Sequence, residues 1–187
     1  MAYLIVYAHP NTCCFCPKIL EVVKRRLNQT KQSYELIDLY ALKFNPVLPE
    51  KEHYTAGNHK IGADVKKFQE QIKIADHLIF IYPIWWGSMP AILKGWFDRV
   101  LTPGFAFEYE SGLPKRLLKN KKATIFTTSG GPRAYYFLTR HCNQKLIKRD
   151  ILWFCGIKSL VYQIYSARKL TLEQELKIEK LVKRVLA

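Results

Sequence analysis

A three-layer α/β sandwich built on a five-stranded parallel sheet, with strand order 2-1-3-4-5, is the fold this 187-residue sequence predicts. Short apolar, β-branched or aromatic runs recur along the chain, and a helical pattern follows each of them. The run His77-Leu-Ile-Phe-Ile-Tyr82 is almost unbroken in its apolarity, as a central strand buried on both faces must be. Strands are expected at 3–8, 34–38, 77–82, 123–128 and 160–165, and helices near 17–28, 64–75, 90–101, 135–148 and 172–186. Pro17 and Pro90 suit the first turn of a helix, where a missing N–H costs nothing. Thr171 and Gln174 form a capping box for the last helix, in which Leu172, Leu176, Leu181, Val182 and Val185 make one apolar stripe. With no repeat, low-complexity tract or interior linker, residues 1–187 read as a single domain. The longest segment without periodicity is 44–62, and loops of that length are more often functional than idle.

Thirty Lys and Arg against fifteen Asp and Glu leave a formal charge of +15. Residues 111–149 hold ten basic and no acidic side chains, so two-thirds of the excess lies in that segment. Nucleic-acid binding is disfavoured, because the segment alternates basic clusters with an apolar strand where a binding face would interleave aromatics with cations. An anionic partner, such as an acidic protein, or plain solvent is the expected counterpart of the cluster at 115–122. Five cysteines, three of them within Cys13–Cys16, make a poor disulfide framework and suit a reducing compartment, so a cytoplasmic location is expected. No apolar stretch approaches membrane-spanning length, so no membrane insertion is expected.

Ligands in such sheets bind beyond the carboxyl ends of the strands, at the point where strand order reverses. After the first strand comes His9-Pro-Asn-Thr-Cys13-Cys14-Phe15-Cys16-Pro17, a turn into a helix whose unpaired N–H groups suit an anion such as phosphate. An ordinary turn accounts for these residues equally well. No metal is assigned: Cys13 and Cys14 point in different directions, and the spacing is not that of a zinc knuckle. A thiolate activated by the helix dipole is the alternative there, beside inert buried thiols. After the third strand, Pro83-Ile84-Trp85-Trp86-Gly-Ser either caps the sheet or lines a planar aromatic ligand. After the fourth, Thr128-Ser129-Gly130-Gly131-Pro-Arg133 lets backbone approach a ligand and hydroxyls bond it. No dinucleotide fingerprint or P-loop is present.

These residues resemble the NAD(P)H:quinone oxidoreductases, the flavodoxin-like flavoproteins that include bacterial drug-activity modulators and ancillary proteins of potassium-efflux systems. The most specific match is YPIWWGSMPAILKGWFDRVLTPGFAFEY, residues 82–109; AHPNTCCF, IDLYALKFNPVL and LLKNKKATIFTTSGGP support it, and the resemblance runs to about residue 140. It implies a flavodoxin-like three-layer sandwich, a bound FMN or FAD, and a ping-pong reaction. Hydride would pass from NADH or NADPH to flavin N5, and two electrons then to a quinone. By the same resemblance His9, Cys13, Cys14, Phe15 and Cys16 meet the flavin phosphate and ribityl chain, and Pro83, Ile84, Trp85 and Trp86 lie along its ring. Thr128, Ser129, Gly130 and Gly131 contact the pyrimidine side, and Tyr136 stabilises charge on the reduced flavin. The family's pocket lies at a homodimer interface, which assigns Phe107 and Tyr109, with Trp86, to the substrate pocket across that interface. Two departures stand out. Cys14-Phe15-Cys16 replaces the usual Ser-Phe-Asn, exchanging good hydrogen-bond partners for weak thiols. The catalytic histidine of animal members falls on Cys142, leaving His141, one residue away, as the nearest substitute. Alternative activities are nitro or azo reduction and a regulatory role on a potassium-efflux channel.

Overall fold

A computed structural model describes residues 1–53, 55–56, 60–139 and 141–186. Five strands form the expected parallel sheet: β1 (Ala2–Tyr7), β2 (Ser33–Asp38), β3 (His77–Pro83), β6 (Lys122–Thr128) and β7 (Lys158–Ile164), in the order β2-β1-β3-β6-β7. Alternation along β3 divides the core in two, since successive side chains of a strand point to opposite faces. Leu78, Phe80 and Tyr82 pack with Trp96, Phe97 and Phe68 on the side of α2 (Ala63–Ile74) and α3 (Ala91–Val100). Ile79 and Ile81 pack with Phe126, Ile19 and Val23 on the side of α1 (Phe15–Gln29) and α6 (Leu172–Val185). In α3, Gly95 admits the backbone of Pro46 so closely that a Cβ would fall on the Pro46 carbonyl.

The Thr171–Gln174 capping box is present, but the apolar stripe of α6 is not the one expected. Leu172 and Leu176 are exposed, and Ile178 and Val182 are the buried pair, flanked by Leu181 and Val185. The long helix expected over 135–148 is two pieces, α4 (Arg133–Leu138) and α5 (Cys142–Lys145), the second continuing as a π-helical segment over Leu146–Trp153. The first piece ends at Thr139, whose N–H and hydroxyl both bond the Tyr135 carbonyl, and His141, left-handed at φ 51°, turns its N–H back to the Tyr136 carbonyl. A hairpin, β4 (Phe107–Glu110) and β5 (Leu113–Arg116), was not expected. Its signal was the Ser111-Gly112 pair, both at positive φ as a two-residue turn requires.

Three of the five basic side chains at 115–122 have partners within the chain. Lys115 pairs with Glu108 at 2.8 Å, and the Arg116 guanidinium stacks 3.5 Å over Trp153. Lys121 is buried and donates to the Lys73 and Ala75 carbonyls, closing the end of α2. The loop at 44–62 is braced by Arg99 from α3, which bonds both carboxylate oxygens of buried Glu52 at 2.8 Å, Asp64 at 3.0 Å and the Asn45 carbonyl at 2.8 Å. Among the described residues no helix is long and apolar enough to cross a membrane.

Candidate functional site

Parallel register brings three loops to one edge of the sheet. Tyr7 sits opposite Ile81, and Pro83 opposite Thr128, so the chain leaves β1, β3 and β6 at the same level. Strand order reverses between β1 and β3, which opens a crevice there. The first loop leads into α1, whose N-cap, Cys14, makes no side-chain capping bond. First-turn N–H groups of α1 are thereby left for an anionic guest. His9 holds Cys14 at 3.3 Å from Nε2 to Sγ, keeps Nδ1 3.1 Å from the Asn11 N–H, and leans toward Trp85 with ring centroids 6.0 Å apart. Burial lowers the His9 pKa, so the ring is neutral at pH 7.

Phe15 and Cys16 begin α1 at the first loop with both side chains buried. The Cys16 thiol lies 3.4 Å from the Thr128 hydroxyl and is pushed up to about 12 by burial. Only the backbone of these two residues is open to a ligand. Burial likewise raises the Cys14 thiol, with a smaller opposing pull from the Cys16 N–H, so the expectation of an activated thiolate does not hold. Cys13 is exposed.

The second loop places two indoles at the mouth of the crevice. Trp85 and Ser88 exchange both backbone hydrogen bonds around Trp86 and Gly87, whose φ angles are 50° and 74°. Two positive φ values in a two-residue turn make the mirror-image type that favours glycine, and a tryptophan there is under strain. Trp86 is 105% exposed and Trp85 40%. Pro83 and Ile84 are buried at the base of this loop, and the Ile84 N–H donates to the Thr128 carbonyl at 2.7 Å.

The third loop follows β6. Ser129 is buried, Gly130 has open space around its Cβ position, and a Cβ on Gly131 would press on the Tyr136 ring at 3.2 Å. Tyr136, on α4, thus lies against the glycine loop, where it was expected. His141 donates its N–H to the Tyr136 carbonyl at 2.8 Å and borders a recess with Arg133, Gln144, Gln163 and Arg184. Phe107 borders a mostly apolar cavity of ≈ 440 Å³ with Phe97, Leu101 and Phe154, none of them a crevice residue, while Tyr109 is exposed beside it. Within one chain, Trp86 stands in solvent and is not among the residues that line the cavity at Phe107.

A fourth loop was overlooked, the one after β7. It brings Arg168 and Lys169 to a recess of ≈ 740 Å³ shared with Thr12, Cys13 and Cys14, beside the uncapped end of α1. Arg168 also donates to the Gly130 carbonyl at 3.3 Å, joining the first and third loops. The signal was in the sequence: Arg168-Lys169 follows the fifth strand directly, and only the ends of the first, third and fourth strands had been considered. The crevice so assembled can hold an anion at α1 and a planar ring against the indoles. Among the described residues no group of three His, Cys, Asp or Glu side chains is placed to bind a metal ion.

A family model described as a flavodoxin-like fold matches residues 1–187. The chain belongs to this flavodoxin-like family. The match extends past residue 140, where the sequence resemblance had thinned. An NAD(P)H oxidoreductase of Haemophilus influenzae is 34% identical over 170 residues, covering 89% of this chain and 84% of its own. Ribosyldihydronicotinamide dehydrogenase [quinone] of Pongo abelii is 34% identical over 197 residues, covering 93% and 85%. Among solved structures, the NAD(P)H:quinone oxidoreductase of Methanothermobacter marburgensis superposes with a TM-score of 0.87 at 28% identity, over 100% of this chain and 97% of that one.

Proposed function

We propose that the chain is a flavin-dependent NAD(P)H:quinone oxidoreductase whose flavin occupies the crevice between the loops after β1, β3 and β6. The oxidoreductase assignment rests on the relatives above. The flavin rests on one observation above all: two exposed indoles held by a strained turn beside an uncapped helix end. Exposed aromatic area of that size on a strained turn favours the unliganded chain in no way, whereas a planar ring would cover it.

The residues present fit the group. Backbone N–H groups of the first turn of α1, with Arg168 and Lys169 nearby, supply what a phosphate needs. Trp85 and Trp86 form a wall for the ring, and the open Gly130 and Gly131 let backbone approach its polar edge. When bound, the flavin supplies two-electron hydride chemistry between a nicotinamide and a quinone. Around it the chain binds and orients: His9 borders the phosphate loop through its contacts with Cys14 and Asn11, and Tyr136 stands at the glycine loop as a donor from its phenol. A second copy of the chain, contributing Phe107 and Tyr109, would complete the acceptor pocket.

The test is direct. Purified protein incubated with FMN or FAD, desalted, and assayed with NADH or NADPH and a benzoquinone or naphthoquinone should retain flavin and oxidise the nicotinamide. Retention of neither flavin, with no oxidation, would sink the reading. Releasing the retained flavin by denaturation tells FMN from FAD, and paired rates tell NADH from NADPH.

A further inference from the structure

Gln163 lies on β7, outside the crevice, and its amide is committed at both ends. Its Oε1 accepts from Gln144 Nε2 at 3.0 Å and from Asn143 Nδ2 at 3.2 Å, while its Nε2 donates to Ser129 Oγ at 3.1 Å. A serine hydroxyl has one proton and two lone pairs. One lone pair of Ser129 is taken by Gln163, and among the described residues no acceptor receives its proton. Gln163 cannot receive it, because its oxygen already serves two amides. Nor can the loop relax to change this, since the Ser129 N–H is bound to the Ile164 carbonyl and the Ser129 carbonyl to the Ala167 N–H.

From this we infer that Gln163 is a positioning residue: with Asn143 and Gln144 it fixes the polarity of the Ser129 hydroxyl, so that Ser129 donates to a hydrogen-bond acceptor in the crevice. The inference rests on the flavin reading, in which that acceptor belongs to the pyrimidine side of the ring. Two amides on α5 thereby determine a donor in the binding site without touching the ligand. Asn143 is buried, and its amide is more than a surface decoration. The break between α4 and α5 at Thr139 is what allows the second helix to set both amides against β7.

The variant that tests polarity is Gln163→Glu. It keeps the shape of the side chain and still accepts from Asn143 and Gln144, but its other oxygen is an acceptor. The Ser129 proton would then turn to the carboxylate, leaving lone pairs facing the ligand. FMN and FAD are titrated separately by fluorescence quenching, with the absorption spectrum of the bound flavin recorded for each protein. Gln163→Glu should weaken binding roughly tenfold and shift the spectrum, Ser129→Ala should weaken it about three- to tenfold, and Gln163→Glu should add little in the Ser129→Ala background. Gln163→Met, which removes the amide without adding charge, gives a second route should the glutamate variant not fold, and its smaller loss should also vanish in that background. Tight flavin binding by the wild type with unchanged binding in both Gln163 variants would overturn the positioning role. A Gln163→Glu loss that persists undiminished in Ser129→Ala would do the same. Failure of the wild type to bind either flavin would overturn the underlying flavin reading instead.

Discussion

The brace around Arg99 and the crevice at the ends of β1, β3 and β6 treat polar groups in opposite ways. At the brace every charged group has a partner: one guanidinium serves Glu52, Asp64 and the Asn45 carbonyl, and it also lies over the Phe44 ring at 5.0 Å. At the crevice capacity is left over. Helix α1 begins without a side-chain cap, the buried Thr127 hydroxyl has no partner among the described residues, and Trp86 holds a positive φ with its ring in solvent. Stability is invested in the first region and withheld from the second, which is the pattern of a scaffold that keeps a binding site ready.

Breaking the brace should produce the largest effect. Arg99→Met leaves Glu52 buried without its partner and should destabilise the fold by about 3–5 kcal/mol in urea unfolding. The double variant Arg99→Met/Glu52→Leu should recover most of that loss. Equal stability of the single and double variants would show that the charge balance at the brace is immaterial.

Gly131→Ala and Gly130→Ala probe the other region at two adjacent positions. The first pushes on Tyr136, while the second meets nothing within 4 Å. Gly131→Ala should weaken flavin binding by about tenfold, a loss of roughly 1.4 kcal/mol, and Gly130→Ala by much less; equal losses would detach Tyr136 from the site. Trp86→Gly should separate stability from binding altogether. Relief of the left-handed conformation should stabilise the ligand-free chain by up to about 1 kcal/mol while flavin affinity falls. A drop in melting temperature would mean that the turn is not strained.

The smallest effect is one of pH. Burial, and then the nearby charge of Lys122, lowers the pKa of His77, whose Nε2 lies 2.8 Å from the Thr124 hydroxyl. With the folded value below the unfolded one near 6.5, the unfolded chain binds the proton first. Stability should therefore fall as pH drops through about 6.5, the penalty being complete below the folded pKa. His77→Gln should flatten that part of the profile of urea midpoint against pH. His9 acts with the same sign and should leave a residual slope.

Local pattern was enough to read the sheet. All five parallel strands came from apolar runs, with ends displaced by no more than two residues, because each strand is buried or bordered in a way its own composition records. What escaped was decided by single side chains acting at a distance. The expected helix over 135–148 has acceptable propensity throughout, and it is interrupted where His141 turns left-handed and returns its N–H to the Tyr136 carbonyl. In the site, Trp85, Trp86 and Gly131 were legible because each is the wrong residue for a plain loop, and Tyr136 through the family resemblance alone. That the side chains of Phe15 and Cys16 turn inward was not legible, because a linear motif does not distinguish the inward face of a helix's first turn. Gln163 was invisible for a different reason: nothing in an edge strand says which neighbour it will reach across the sheet, whereas Arg168 had a signal in its place after the fifth strand.

Four tryptophans divide along the same line, Trp96 fully buried in the core and Trp86 fully in water, with Trp85 and Trp153 between them. The molecule thus carries its own optical reporters. A soluble quencher should extinguish the emission of Trp86, Trp85 and Trp153 while sparing Trp96, so in a Trp153→Phe background occupancy of the crevice and integrity of the core can be followed separately in one unlabelled sample.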